Sequence, residues 1–170
     1  MHGIMLSRMR AAILTVSTSV AAGATEDRSG AALAEQARAA GAEVVARDVV
    51  ADDRGAIEDW LRRQAAAGAS LIFTTGGTGL TDDDITPEAT RAVIDRDAPG
   101  FAEALRAEAL TYTPMGILTR GVSGIIGRSL VINFPGNPKA IGELFPVIAP
   151  TLGHVVATLA REPGERTPGH

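Results

Sequence analysis

The chain contains no cysteine. That excludes a disulfide scaffold, a thiolate metal site and cysteine catalysis, but does not identify a compartment. Aromatic residues are scarce, at 4% of 170 residues, so Val, Ile, Leu and Ala must fill the core. Positive charge is not in excess. The formal net charge is −4, and without a basic stripe to neutralise a phosphate backbone, a nucleic-acid partner is not expected. No apolar run approaches the roughly 20 residues of a membrane span, and the first ten residues lack the apolar stretch and cleavage site of a signal peptide. Met5 or Met9 serves as well as Met1 for a start. The expectation is a soluble, cytoplasmic protein, without a membrane partner.

Several familiar motifs are also missing. Gly-x-x-x-x-Gly-Lys-Ser/Thr is absent and no lysine lies near the glycine-rich turn at 74–79, so this is not a P-loop. No Gly-x-Gly-x-x-Gly follows the first strand, and Gly-x-Ser-x-Gly does not occur. The three histidines are scattered; His154 lies beside apolar positions of a helix and reads as structural.

Apolar, β-branched runs alternate with helical patterns. Residues 11–17 read as a buried strand, followed by a loop of small and charged residues at 21–28. An alanine-rich helix comes next, from Ser29-Gly30 to about Ala40, with Gly41 closing it. The more polar run 42–50 reads as a strand nearer an edge, followed by a helix over 54–67 with Ile57, Trp60, Leu61 and Gln64 on one stripe. Residues 69–73 lead into Thr74-Thr75-Gly76-Gly77-Thr78-Gly79, then an acidic loop, Asp82-Asp83-Asp84, then a helix with Thr86 as its cap and Pro87 at its first position. Pro99-Gly100 breaks the chain before a helix carrying Phe101, Leu105 and Leu110. Residues 117–127 are glycine-punctuated and can hold a β-excursion. Residues 129–134 form another buried strand, meeting Pro135-Gly136-Asn137-Pro138, where Asn137 caps a further helix. Pro146 and Pro150 interrupt the chain beyond it, so the last helix is a separate or kinked piece.

This alternation predicts an α/β fold: three layers, a mostly parallel, doubly wound sheet with helices on both faces. No repeat or linker divides it, so one domain is expected over 11–161, with flexible termini at 1–10 and 162–170. Ligands of such sheets bind at the carboxyl ends of the strands. Four loops leave those ends, at Asp27, at Asp52, at the TGGTG turn and at the PGNP turn. Each has a plain fold-building explanation: tight turns need glycine, and acidic residues before a helix stabilise its positive end. Two carboxylate groups facing two glycine-rich turns at one sheet edge is, however, a poor arrangement for stability alone. It suits anion-binding amides and a divalent cation lying between carboxylates and a phosphate.

The stretches TTGGTGLTDDDITPEAT (74–90), INFPGNPKA (132–140) and EDRSG (26–30) resemble the molybdopterin adenylyltransferase family of molybdenum cofactor biosynthesis, to which the gephyrin G domain belongs. The resemblance covers about residues 11–160. It implies a molybdopterin-binding fold, a homotrimer, and Mg²⁺-dependent transfer of adenylate from ATP to molybdopterin with release of pyrophosphate. By position it implies Asp52 and Asp84 as catalytic and metal-holding carboxylates. It implies substrate contacts from Asp27, Ser29, Thr75, Gly76, Gly77, Thr78, Gly79, Pro135, Gly136, Asn137 and Pro138. Two positions depart from the family pattern: Thr18 stands where an aspartate is common, and Asp83 where a basic residue is common. If these spoil ATP binding, the alternative is a non-catalytic molybdopterin-binding or carrier protein on the same fold.

Overall fold

A computed structural model describes residues 8–165. The expectation of flexible ends therefore falls, for 1–7 and 166–170, outside the described residues. The ends that are described make contacts: the Arg10 N–H donates to Ser70 Oγ at 2.9 Å, and Glu162 pairs with Arg128 at 3.1 Å.

Six strands form one sheet: β1 (Arg10–Val16), β2 (Glu43–Val50), β3 (Leu71–Thr75), β4 (Arg96–Asp97), β5 (Ser123–Ile126) and β6 (Ser129–Phe134). Their spatial order is β2-β1-β3-β6-β5-β4. β2, β1, β3 and β6 run parallel; β5 and β4 turn back as antiparallel additions. Parallel strands covered on both faces have no solvent side, which is why β1, β3 and β6 are continuous apolar runs. β2, more polar, lies at the edge as its alternation predicts.

The helices are α1 (Thr18–Ala21), α2 (Arg28–Ala39), α3 (Arg54–Ala66), α4 (Thr86–Val93), α5 (Gly100–Tyr112), α6 (Pro138–Ile148) and α7 (Leu152–Leu159). Alternation along the strands sorts the core into two layers. Ile13, Leu71, Phe73, Ile132 and Phe134 face α2, α6 and α7. Leu14, Ile72 and Val131 face α3 and α4, where Ile57, Trp60 and Leu61 are buried. Phe73, Phe134 and Phe145 form an aromatic triad with centroids 5.3–5.8 Å apart; removing one such ring costs about 3–5 kcal/mol. On the other face, the only tryptophan, Trp60, donates its indole N–H to Asp48 at 2.9 Å.

Some local expectations are corrected. Thr86 is the first residue of α4, not its cap; Ile85 precedes it with no side-chain cap bond. The Thr86 hydroxyl instead donates back to the Gly76 carbonyl at 2.9 Å. Ser17, read as the end of the first strand, instead caps the four-residue α1 (Thr18–Ala21). Pro146 does not interrupt its helix: it is exposed, as is Gly142 one turn earlier, so the carbonyl its ring displaces faces outward. The break comes at Pro150, in a single 3₁₀ turn, Ala149–Thr151. Leu110 points outward instead of into the core. By length and composition alone Pro138–Leu159 would pass as a membrane span, but Ile141, Leu144, Phe145, Ile148, Leu152 and Val156 are buried in the core, which accounts for the apolarity.

Because the chain steps from β1 outward to β2 and then back to β3 on β1's other side, the strand order reverses between β1 and β3. A crevice opens at the carboxyl ends there. The TGGTG turn leaves β3 at that point.

Candidate functional site

The turn after β3 is built on two glycines in the left-handed region, Gly76 at φ +94° and Gly77 at φ +67°. A side-chain carbon on Gly76 would collide with the Val16 carbonyl, and one on Gly77 with the Thr86 hydroxyl. The turn is thus clamped between the end of β1 and the start of α4. Thr75 ties it to the second turn, donating to the Pro135 carbonyl at 2.8 Å. Gly76 and Gly136 meet as bare backbone: a Cβ on Gly136 would stand 3.3 Å from the Gly76 Cα.

This contact forms a saddle between two cavities, and both glycines line both of them. One cavity, about 400 Å³, is polar at its rim, with Ser17, Thr25, Glu26, Arg28 and Ser29. The other, about 380 Å³, is lined by Gly77, Thr78, Gly79 and Asp84 on one side and Met115 and Leu118 on the other. A larger cavity of about 620 Å³ lies beside α5, between Arg91, Arg106 and Arg120, but neither glycine-rich turn lines it. Backbone amides decide between them. The N–H groups of Gly77, Thr78, Gly79, Gly136 and Asn137 donate to no group among the described residues. Thr78 is buried, Gly77 and Gly79 are half-buried, and Gly136 and Asn137 are exposed; free backbone donors gathered at a crevice can cradle an anion. Thr78 is buried at the same place, and its hydroxyl, which reaches the surface, has no partner among the described residues.

The other expected residues divide by what holds them. Asp84 reaches the second cavity, with Oδ2 accepting from the Thr81 N–H at 3.0 Å and hydroxyl at 2.9 Å. Asp82 and Asp83 are exposed, and Asp83 makes no hydrogen bond or ion pair among the described residues. Asp52 sits at the end of β2 and accepts from the Thr18 hydroxyl at 2.9 Å through Oδ2; its Oδ1 has no partner among the described residues. Asp27 caps α2 and does not line either cavity. Its carboxylate accepts from Thr15 at 2.8 Å and the Gly30 N–H at 3.0 Å, and Arg47 stands 3.3 Å away. It therefore fixes the segment that carries Ser29. Asn137 spends its side chain on the Lys139 N–H, capping α6; Pro135 and Pro138 are cavity walls.

Among the described residues no three acidic or histidine side chains gather as a ready-made metal cage. Of the two expected carboxylates, Asp84 lines the second cavity and Asp52 lines neither, so no single cavity brings them together. Three further contributors carried no local signal. Met115 and Leu118 form the apolar wall from the 3₁₀ segment Pro114–Leu118. Arg120 donates to the Gly79 and Asp84 carbonyls at 2.7 and 2.6 Å and pairs with Glu88 at 2.7 Å.

Residues 12–154 match the family described as "Probable molybdopterin binding domain". The molybdopterin adenylyltransferase of Helicobacter pylori strain J99 is 43% identical over 110 residues, 64% of this chain and 62% of that protein. The chain thus spans less than two thirds of that relative's length. The molybdopterin adenylyltransferase of Escherichia coli K12 is 34% identical over 155 residues, covering 89% of this chain and 79% of that one. The crystal structure of the molybdopterin biosynthesis enzyme MoaB of Thermus thermophilus superimposes with a TM-score of 0.85 at 40% identity, over 92% of this chain and 99% of that one.

Proposed function

The chain belongs to the molybdopterin-binding domain family, and on that premise we propose that it acts in molybdenum cofactor biosynthesis as a molybdopterin adenylyltransferase. The observation that carries this reading is the saddle at Gly76 and Gly136: two cavities, one for each substrate, meeting at a row of free amides. A terminal phosphate oxygen of molybdopterin attacks the α-phosphorus of ATP. A new P–O–P bond forms, the α–β bond breaks, and pyrophosphate leaves with the electron pair. Neither carboxylate needs to remove a proton, since a phosphate monoester is largely ionised near neutral pH.

The difficulty is bringing two anions together, so the work of the site is orientation and charge cancellation. The Gly77, Thr78 and Gly79 amides and the Thr78 hydroxyl hold phosphate oxygens on one side of the saddle; the Gly136 amide serves the other. Asp84 and Asp52 would hold Mg²⁺ if it takes part. When bound, this ion supplies positive charge to the phosphate oxygens. Met115 and Leu118 offer a flat apolar wall to a heterocycle and keep water from that side.

The two departures from the family pattern leave the cradle intact. Thr18 gives Asp52 a neutral hydrogen-bond partner, and Asp83 faces outward. This, with relatives named as adenylyltransferases, favours the enzyme over a non-catalytic carrier. We also assign residues 11–161 to one functional unit working in the cytoplasm as a homotrimer. Tyr112 and Ile117 are exposed close together in sequence and give copies an apolar surface to share.

The test is incubation with molybdopterin, ATP and Mg²⁺, followed by detection of pyrophosphate and adenylylated pterin. Turnover is expected, with Asp84→Asn abolishing it while pterin still binds. Pterin binding without any product would establish the carrier instead.

A further inference from the structure

Residues 79–84 connect the glycine-rich turn to α4 and carry the carboxylate assigned to chemistry. Among the described residues, the loop's own bonds join Thr81 to Asp84 only: the Thr81 N–H and hydroxyl donate to the carboxylate, and the Asp84 N–H donates to the Thr81 carbonyl at 3.0 Å. These shape the tip but fasten it to nothing. The fastening comes from Arg120. Its Nε donates to the Gly79 carbonyl at 2.7 Å and its Nη2 to the Asp84 carbonyl at 2.6 Å, one at each end of the loop. Its Nη1 pairs with Glu88 on α4, and its backbone N–H donates to the Thr78 carbonyl at 2.8 Å.

Arg120 is itself held firmly. Arg106 donates to the Gly121 carbonyl at 2.8 Å. Val122 exchanges bonds with Asn133 of β6, its N–H donating to the side-chain oxygen at 3.1 Å and its carbonyl accepting from the backbone N–H at 3.0 Å. Asn133 is buried and its amide also donates to Thr74 and Thr90. A continuous set of bonds thus runs from the middle of the sheet to both ends of the acidic loop.

We propose that Arg120 is the positioning residue for Asp84, setting the height and direction of its carboxylate against the glycine turn. Arg120 does not line the cavity that Asp84 lines, and it touches the Asp84 backbone and not the carboxylate. It therefore acts through the loop, without neutralising the carboxylate. The Gly79 backbone lies directly against that carboxylate: a Cβ there would be 2.7 Å from Oδ2. Moving either carbonyl that Arg120 holds thus moves the acid and the amide cradle relative to each other. A planar guanidinium fits three acceptors in three directions; a lysine has one nitrogen to offer them.

The kinetic arm of the test rests on the adenylyl-transfer reading; the exchange arm does not. The full chain, Arg120→Met and Arg120→Lys are compared in turnover, thermal midpoint and amide hydrogen exchange at Asp84 and Thr86, whose N–H groups are bonded in and beside the loop. Expected in both variants are a kcat lower by about 100-fold with KM for ATP within about threefold, a thermal midpoint close to the parent's, and exchange at these two amides faster by about tenfold with the rest of the chain unchanged. Parent-like exchange in Arg120→Met, full recovery of kcat in Arg120→Lys, or faster exchange throughout the chain would each overturn the assignment. An unmutated protein without turnover counts against the adenylyl-transfer reading, and exchange still decides on Arg120. Should Arg120→Met not fold, Arg120→Lys carries both readouts.

Discussion

Thr18 and Asp52 lock each other across the ends of β1 and β2. The Thr18 hydroxyl donates to Asp52 Oδ2 at 2.9 Å and accepts from the Asp52 N–H at 3.1 Å. One of the two residues that depart from the expected family pattern thus orients one of the two assigned carboxylates. Thr18→Val keeps the shape and removes the hydroxyl. A lost hydrogen bond to a charged group at this partly exposed place is worth about 1–1.5 kcal/mol, so kcat/KM for ATP is expected to fall about tenfold. Steady-state kinetics check this; an unchanged value would mean that Asp52 needs no support from Thr18.

The two saddle glycines differ in tolerance. Gly76 has positive φ and no room for a Cβ, whereas Gly136 would press a neighbour by only a few tenths of an ångström. Gly76→Ala is expected to destabilise by about 1–3 kcal/mol and Gly136→Ala by less than about 1 kcal/mol. Urea midpoints measure both, and equal losses would contradict this geometry.

Asp83 is exposed and without partners among the described residues. Asp83→Arg is expected to leave stability within about 0.5 kcal/mol and ATP affinity within about twofold, because solvent and salt screen an outward charge. Titration with ATP checks it. Markedly tighter binding would place Asp83 in the nucleotide's field.

If the apolar surface at Tyr112 and Ile117 joins copies of the chain, Ile117→Glu buries a charge in that contact. Light scattering is expected to change from a trimeric to a monomeric mass. A mass unchanged at micromolar concentration would move the interface elsewhere.

Much of the frame was legible because it rests on local rules. Runs 11–17 and 129–134 and the approach to TGGTG had to be buried strands, since no solvent face remains in a covered parallel sheet. Asn137 followed by proline had to open a helix. What escaped the sequence depends on distance along the chain. Arg120 meets Gly79, Asp84 and Glu88 across 32–41 residues, and no spacing rule connects them. Thr86 looked like a cap because its local chemistry suits one; the Gly76 carbonyl, ten residues back, claims its hydroxyl instead. Asp27 looked like a ligand for substrate, while Thr15, Gly30 and Arg47 occupy its carboxylate. The two-residue β4 has too little sequence to announce itself.

The indole of Trp60 is 2% exposed and bonded to Asp48, in the layer of α3 and not at the saddle. The protein therefore carries its own optical probe of unfolding. Its emission should shift to the red when α3 leaves the sheet and the ring meets water. Unfolding can thus be followed by intrinsic emission in an unlabelled sample.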